Sequence, residues 1–156
     1  MLGSKSHYFH RSPGELFVIR KNLVEYLSLK GYTLEEARIY IKAFDYFCNN
    51  PSKFDGATIV KDLTDLPGLD LDAMLHDYHY LNYQAATNFI TKWKSDWIYA
   101  KGQERKGKGQ YSSFSRFVGL TLVGIGFVPY ALIKRGKITR KNKDRIQIDY
   151  NILIKS

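Results

Sequence analysis

Residues 70–80 place a histidine, a carboxylate and a phenol at helical spacing. His76 and Tyr80 are four residues apart, so on a helix they share one face, whereas the side chain of Asp77 points about 100° away. An imidazole is the usual group that takes up and returns a proton in enzyme reactions, and an aspartate can bind a hard cation such as calcium. The segment is therefore the candidate site of chemistry in this sequence.

A second carboxylate, Asp96, follows His76 by twenty residues. On one continuous helix the two would be about 30 Å apart, but a reversal of the chain near residues 84–88 would place them side by side on antiparallel helices. Asp96 also follows Trp93 by three residues, on the predicted apolar side of its helix, where an unpaired carboxylate is very unfavourable. We therefore predict that Asp96 bonds to His76 and Tyr80, an arrangement that orients the imidazole of a general base.

The pattern His-Asp-x-x-Tyr on a helix, followed by an aspartate about twenty residues later, resembles the phospholipase A2 superfamily. The similarity is greatest to the disulfide-free type found in parvovirus capsid and phage proteins, in which an aspartate and an alanine precede the histidine at fixed intervals. Asp70 and Ala73 occupy those positions here. The resemblance covers about 35 of the 156 residues.

The resemblance implies a role for each matched residue. His76 would be the catalytic base, Asp96 its orienting carboxylate and Tyr80 a hydrogen-bonding support for Asp96. Ca²⁺ would be the cofactor, with Asp77 as its side-chain ligand and Gly68 in the loop that supplies backbone carbonyls. The family builds this loop on a Gly-x-Gly pattern, which neither Phe-Asp-Gly at residues 54–56 nor Thr-Asp-Leu-Pro-Gly at residues 64–68 contains.

Two functions therefore remain open. The first is a calcium-dependent phospholipase A2, a carboxylic ester hydrolase that cleaves the sn-2 acyl bond of phospholipids in a virus or phage particle. The second is a catalytically silent structural protein of such a particle, which keeps the helix pair as a scaffold and contacts other proteins or nucleic acid. A P-loop, a dinucleotide-binding fingerprint and a cysteine zinc site are absent from the sequence, which excludes the enzyme classes that depend on them.

Positive charge is concentrated in the last third of the chain. Residues 101–156 hold 13 lysines and arginines against 3 acidic residues, a net charge of +10, whereas residues 1–100 have a net charge of −1. Seven of the basic residues lie within residues 134–145. Such a patch attracts anionic surfaces. The predicted partners are a phospholipid membrane or other virion proteins, with nucleic acid at residues 134–145 and oligomerisation within an assembly as further options.

The cysteine content and the first residues bear on the cellular setting. Cys48 is the single cysteine, so no disulfide can form within the chain. Lys5, His7, His10 and Arg11 interrupt any apolar run of the kind that a signal peptide requires. We therefore expect a virion or cytoplasmic protein that is not secreted through a signal peptide.

The elements that must position these residues are predicted to be mainly α-helical. Pro13 can begin one helix, and Thr33 with Glu36 forms a capping box for the next. A single domain is expected over residues 1–156, with an antiparallel catalytic-type helix pair and a small C-terminal β-hairpin. Its predicted parts are an irregular arm (1–13), a helical hairpin (14–50), a phospholipase A2-like loop and helix pair (51–101), a basic loop and apolar segment (102–135) and a basic β-hairpin (136–156).

Two of these parts depend on apolar patterns. Residues 117–133 form the most apolar stretch, but at 17 residues it is short for a membrane-spanning helix, which needs about 20. A buried helix or helix-turn is the favoured interpretation. The final β-hairpin rests on strict alternation, because five apolar residues occupy every second position from Ile146 to Ile154.

Overall fold

The computed structural model describes residues 8–54, 70–105 and 110–155 of the chain, and every regular element in these ranges is helical. The α-helices are α1 (Pro13–Leu29), α2 (Leu34–Asn49), α3 (Leu71–Leu81), α4 (Phe89–Arg105), α5 (Gln110–Ile125), α6 (Phe127–Arg135) and α7 (Arg140–Lys155). Short 3₁₀ turns are formed by Tyr8–His10, Pro51–Lys53 and Ala85–Thr87. The chain divides into two compact units, Met1–Tyr78 and His79–Ser156, with the boundary inside α3. The expectation that residues 1–156 form a single domain is not tested by this division and stays a prediction.

The first unit contains the predicted helical hairpin, α1 followed by α2. Each helix begins at a capping box, Ser12 with Glu15 for α1 and Thr33 with Glu36 for α2, in which side chain and backbone bond reciprocally. Gly31, at a φ of +78°, lies in the turn between the helices, where a side chain would be strained. The hairpin is thus confirmed, and α2 begins at the capping box that the sequence predicted, whereas the capping box of Ser12 with Glu15 was not predicted.

Aromatic rings fill the core of the first unit. The Phe9 ring packs against those of Phe44, Phe47 and Phe54, with centroid distances of 5.3, 5.5 and 4.9 Å. Phe9 is almost completely buried, and Tyr8–His10 forms a 3₁₀ turn. The described part of the predicted irregular arm is therefore ordered, because one large ring on it contributes to the core.

The second unit is arranged around α4, which packs against α5 and α7. Asn88 caps α4, since its Oδ1 accepts the backbone N–H groups of Ile90 and Thr91 at 3.0 and 3.2 Å. The chain leaves α3 through Gln84, whose φ of +57° is left-handed, and passes through the Ala85–Thr87 turn before α4. The predicted break between the two helices is thus confirmed.

The predicted C-terminal β-hairpin is wrong. Residues 140–155 form α7, and the residues described by the structure contain no strand. Thr139 caps the helix, because its Oγ1 accepts the backbone N–H of Asn142 at 3.2 Å. Ile146 is fully buried, whereas Ile148, which would share its face in a strand, is 55% exposed. Because Ile146 and Asp149 are three residues apart and both buried, the pattern that decides the element has the helical period.

The apolar stretch at residues 117–133 also differs from expectation. It forms the end of α5 and most of α6, with a break at Gly126, and only Val128 and Ala131 of α6 are buried. Large apolar side chains on both helices are exposed, among them Leu122, Ile125 and Ile133. A helix-turn is present, but it is not a buried one. Among the helices of the described ranges, none combines the length and the apolar composition needed to cross a bilayer.

Candidate active site on helices α3 and α4

His76 and Asp77 lie on α3, within the first unit. Asp70 caps this helix, since its Oδ1 accepts the backbone N–H groups of Asp72 and Ala73 at 3.0 and 3.2 Å. The His76 side chain is 12% exposed, and its Nδ1 lies 3.9 Å from the Asp77 Oδ1. At this distance the two attract each other only when the imidazole is protonated. The position leaves the imidazole partly accessible to water, as a general base requires.

A second acid anchors the first turns of α3. The hydroxyl of Tyr40 on α2 donates a hydrogen bond of 2.8 Å to Asp72, and both side chains are buried. Burial, followed by the nearby negative charge of Asp72, raises the pKa of Tyr40 well above its usual value. Tyr40 therefore remains a neutral donor, and this buried bond holds α3 against α2 within the first unit.

The residues predicted to bind calcium are only partly described. Asp77 lies on α3, whereas Gly68 lies outside the described residues, as does the rest of the loop from residue 55 to residue 69. Within the described ranges, no three His, Cys, Asp or Glu side chains come together as a metal site would require. Asp77 is thus the one predicted calcium ligand whose position is known, and a single carboxylate does not by itself make a calcium site.

Asp96 lies at the centre of a buried polar cluster in the second unit. The Tyr80 hydroxyl donates a hydrogen bond of 2.6 Å to its Oδ1, which confirms the predicted pair. The ammonium of Lys92, one turn earlier on α4, forms an ion pair with Oδ2. The same ammonium donates to the backbone carbonyl of Leu120 on α5 at 3.0 Å. Both oxygens of the carboxylate therefore have hydrogen-bond donors.

The predicted contact between His76 and Asp96 joins residues of the two units, and it stays a prediction. The predicted apolar side of α4 was wrong, because Trp93 is 40% exposed. The buried side instead carries polar residues, among them Lys92, Ser95 and Asp96. Lys92 is the residue of this cluster that sequence reasoning missed. The signal that could have identified it is its spacing of four residues before Asp96, which on a helix is suited to an ion pair.

A second buried cluster surrounds His79, at the last turn of α3. His79 Nε2 lies 2.9 Å from the Asp149 carboxylate on α7, and its Nδ1 lies 3.4 Å from the Ser95 hydroxyl on α4. The His79 ring also stacks on Tyr83, with centroids 5.7 Å apart. The sequence analysis did not identify this cluster, because Asp149 was assigned to a strand that does not exist.

Serine, histidine and aspartate bonded in this order are the residue types of a nucleophilic triad. Ser95 and His79, however, have no solvent-exposed surface in the described structure. A substrate could not reach the Ser95 hydroxyl without opening the helix packing. The cluster therefore acts as a polar connection that joins α3, α4 and α7 and satisfies the buried imidazole on both nitrogens.

The predicted basic patch lies at the end of α6 and the beginning of α7. Most of its side chains are exposed, including Lys134, Lys137 and Arg140. Arg135 donates to the backbone carbonyl of Tyr80 at 3.1 Å, and Gln84 donates to the carbonyl of Arg135 at 2.8 Å. The patch is thus attached to the last turn of α3 and to the segment that follows it, inside the second unit.

The sequence matches no protein-family model, and neither the curated proteins nor the solved structures include one that is significantly similar to this chain.

Proposed function

We propose that this chain is a phospholipase A2-like component of a virus or phage particle that hydrolyses the sn-2 ester of phospholipids. The observation that carries the proposal is the hydrogen bond between Tyr80 and the buried Asp96. A phenol one turn after the candidate base thereby holds a carboxylate on the following helix, which is the support that the family resemblance implies for these two positions.

In the proposed reaction His76 removes a proton from a water molecule. The water oxygen forms a bond with the carbonyl carbon of the ester, and the bond from that carbon to the glycerol oxygen breaks. The proton passes to the leaving oxygen, so a fatty acid and a lysophospholipid result. Asp96 orients the imidazole and stabilises its protonated form, and Tyr80 keeps Asp96 in place. Calcium held with the help of Asp77 would supply positive charge to the ester carbonyl.

The proposed partner is an anionic phospholipid surface. Exposed apolar side chains on α5 and α6 include Ile125, Phe127, Tyr130 and Ile133. The basic patch of residues 134–145 follows them directly along the chain. Apolar side chains that enter the interface, next to cations that attract anionic headgroups, are the two contributions on which peripheral membrane binding depends.

A second candidate function is a catalytically silent scaffold within the particle. The observation that favours it is the ion pair between Lys92 and Asp96. An ammonium beside the carboxylate offsets the negative charge that would otherwise stabilise a protonated His76. In this alternative the buried charges hold α4 and α5 together, and the basic patch contacts an acidic protein surface or nucleic acid.

Release of fatty acid from mixed anionic and neutral vesicles distinguishes the two candidates. We expect turnover with calcium and none with a chelator, and His76→Gln should abolish it. His10→Gln is the matched control, since His10 is exposed on the Tyr8–His10 turn. Equal rates in the wild type and in His76→Gln would refute the enzyme, even if lipid hydrolysis were detected in the preparation. The absence of hydrolysis in an intact, folded wild type would favour the scaffold.

A further inference from the structure

Lys92 is a buried lysine whose ammonium bridges two helices. Its side chain is 3% exposed, although lysine is among the residues least often buried. The ammonium pairs with Asp96 on its own helix and donates to the Leu120 carbonyl on α5 at 3.0 Å. A carbonyl within a helix normally accepts only the N–H group four residues later, so the bond to Leu120 is an additional one.

Gly124, one turn after Leu120 on α5, leaves the space that the lysine occupies. A Cβ placed on Gly124 would lie less than 3.0 Å from both Cε and Nζ of Lys92, closer than real Cβ atoms approach. Gly119, earlier on α5, has no atom within 4 Å of a Cβ placed there. A side chain at Gly124 would therefore displace the end of the Lys92 side chain, whereas one at Gly119 would meet no other atom.

Burial of an ion pair is costly, because both charges lose their water and the mutual attraction only partly compensates. This pair is completed by Tyr80, which donates to the other oxygen of Asp96, and by the Leu120 carbonyl, which accepts from the lysine. With a donor on each oxygen, the carboxylate cannot rotate freely. The arrangement therefore fixes the direction of the Asp96 carboxylate from both sides.

We propose that Lys92 is the positioning residue of the candidate catalytic carboxylate and that Gly124 is the position that admits it. Lys92 holds the Asp96 carboxylate in one orientation, and the bond to Leu120 makes that orientation depend on the placement of α5. The inference rests on the proposed function, in which Asp96 contacts and orients His76. On this assignment Lys92 orients Asp96 in a working enzyme. Its positive charge beside the carboxylate does not then abolish catalysis, in contrast to the scaffold alternative.

The steric part is tested by a double-mutant cycle on the full-length chain. Gly124→Ala should displace the ammonium and lower the urea midpoint, whereas Gly119→Ala should leave it unchanged or raise it, because alanine favours helix. Lys92→Ala removes the atoms that meet the new Cβ, so adding Gly124→Ala to it should lower the midpoint no further. Equal effects of Gly124→Ala with and without Lys92 would overturn the assignment of Gly124.

The positioning part is tested by ¹⁵N NMR of the His76 imidazole, which reports its tautomer without requiring turnover. Lys92→Met and Gly124→Ala should both change the tautomer ratio, and Gly119→Ala should not. In hydrolysis assays the same two variants should lower kcat by on the order of 10- to 100-fold with little change in KM. A change in tautomer without turnover in the wild type would support the inference and refute the enzyme. An unchanged tautomer in Lys92→Met and Gly124→Ala would overturn the inference, whatever the activity.

Discussion

Tyr80 and Asp96, sixteen residues apart in the chain, share a hydrogen bond of 2.6 Å between the last turn of α3 and the middle of α4. The hydroxyl donates to a buried carboxylate that is also paired with the Lys92 ammonium, so the bond is charge-assisted. Because Lys92 takes the other carboxylate oxygen, removal of either partner of Asp96 affects a buried charge. Removal of the charged Asp96 should therefore destabilise the fold more than removal of the Tyr80 hydroxyl.

Asp96→Ala should lower the free energy of unfolding by about 3–5 kcal/mol, because it leaves the Lys92 ammonium buried without its counter-ion. Tyr80→Phe removes one hydrogen bond to a charged group and should lower it by about 1–3 kcal/mol. Urea denaturation followed by circular dichroism measures both. Asp144→Ala, an exposed aspartate on α7, is the control and should change stability by less than about 0.5 kcal/mol. An equally small effect of Asp96→Ala would show that the cluster does not stabilise the fold.

The pair of Tyr80 with Asp96 could be predicted because motif spacing and a helix break together determine which residues meet. The break was inferred from the need to bring the two carboxylate-bearing helices together, and the left-handed Gln84 before the Ala85–Thr87 turn makes it. The burial of Lys92 could not be predicted from the sequence, since a lysine on a helix is normally at the surface. Its burial depends on a space at Gly124, on a different helix, which no local pattern encodes.

Ile146 and Ile148 provide a direct test of the final helix. Ile146→Ala should lower the free energy of unfolding by about 2–5 kcal/mol, because the side chain is fully buried. Ile148→Ala should change it by less than about 0.5 kcal/mol, because the side chain is 55% exposed. Thermal or urea denaturation measures both variants. In the β-hairpin expected from the alternating pattern the two isoleucines would share one face, so similar losses would contradict α7.

The alternation failed as a predictor because an apolar residue at every second position also gives pairs that are four residues apart, which is helical spacing. Ile146, Asp149 and Leu153 are related by steps of three and four, and a polar residue completes the buried side of α7. The helical period needs Asp149 on the buried side, and an apolar pattern alone does not predict a charged residue there. Helices α1 and α2 were predicted correctly, since Pro13 and the capping box of Thr33 with Glu36 mark their beginnings through local preferences that depend on nothing distant.

Vesicle flotation tests the proposed lipid surface. The wild type should bind anionic vesicles better than neutral ones, and high salt should weaken the binding. Changing Lys134, Arg135, Lys137 and Arg140 to Gln should reduce binding by about 1 kcal/mol for each residue that contacts the surface. The matched control changes four cations of the first unit, Lys21, Lys30, Lys42 and Lys53, to Gln and should bind nearly as the wild type does. Weak, salt-independent binding of the wild type would instead favour contacts within an assembly.

Cys48 should be an unreactive thiol at neutral pH. Burial, and then the charge of Asp45, raise the pKa of the Cys48 thiol to about 11, with the charge of Arg20 acting in the opposite direction. Because an ordinary thiol has a pKa of about 8.5, iodoacetamide at pH 8 should modify the folded protein roughly 100-fold more slowly than the protein unfolded in urea. Between pH 8.5 and about 11 the folded thiol keeps a proton that the unfolded thiol releases. The contribution of Cys48 to the free energy of unfolding is therefore fully present below pH 8.5 and is lost as the pH rises towards 11. Equal rates in both states would contradict this.

The bond between His79 and Asp149 joins residues 70 positions apart, and it bears on the order in which the second unit forms. Until α7 has been synthesised, His79 has no carboxylate and the site of Ile146 in the core is empty. A chain that ends before residue 140 should therefore remain loosely packed from His79 onwards. Helices α1 and α2 make their contacts within 37 residues and can assemble earlier. During translation the first unit should resist proteolysis before the second does, and protection of the second should appear only when its last helix has left the ribosome.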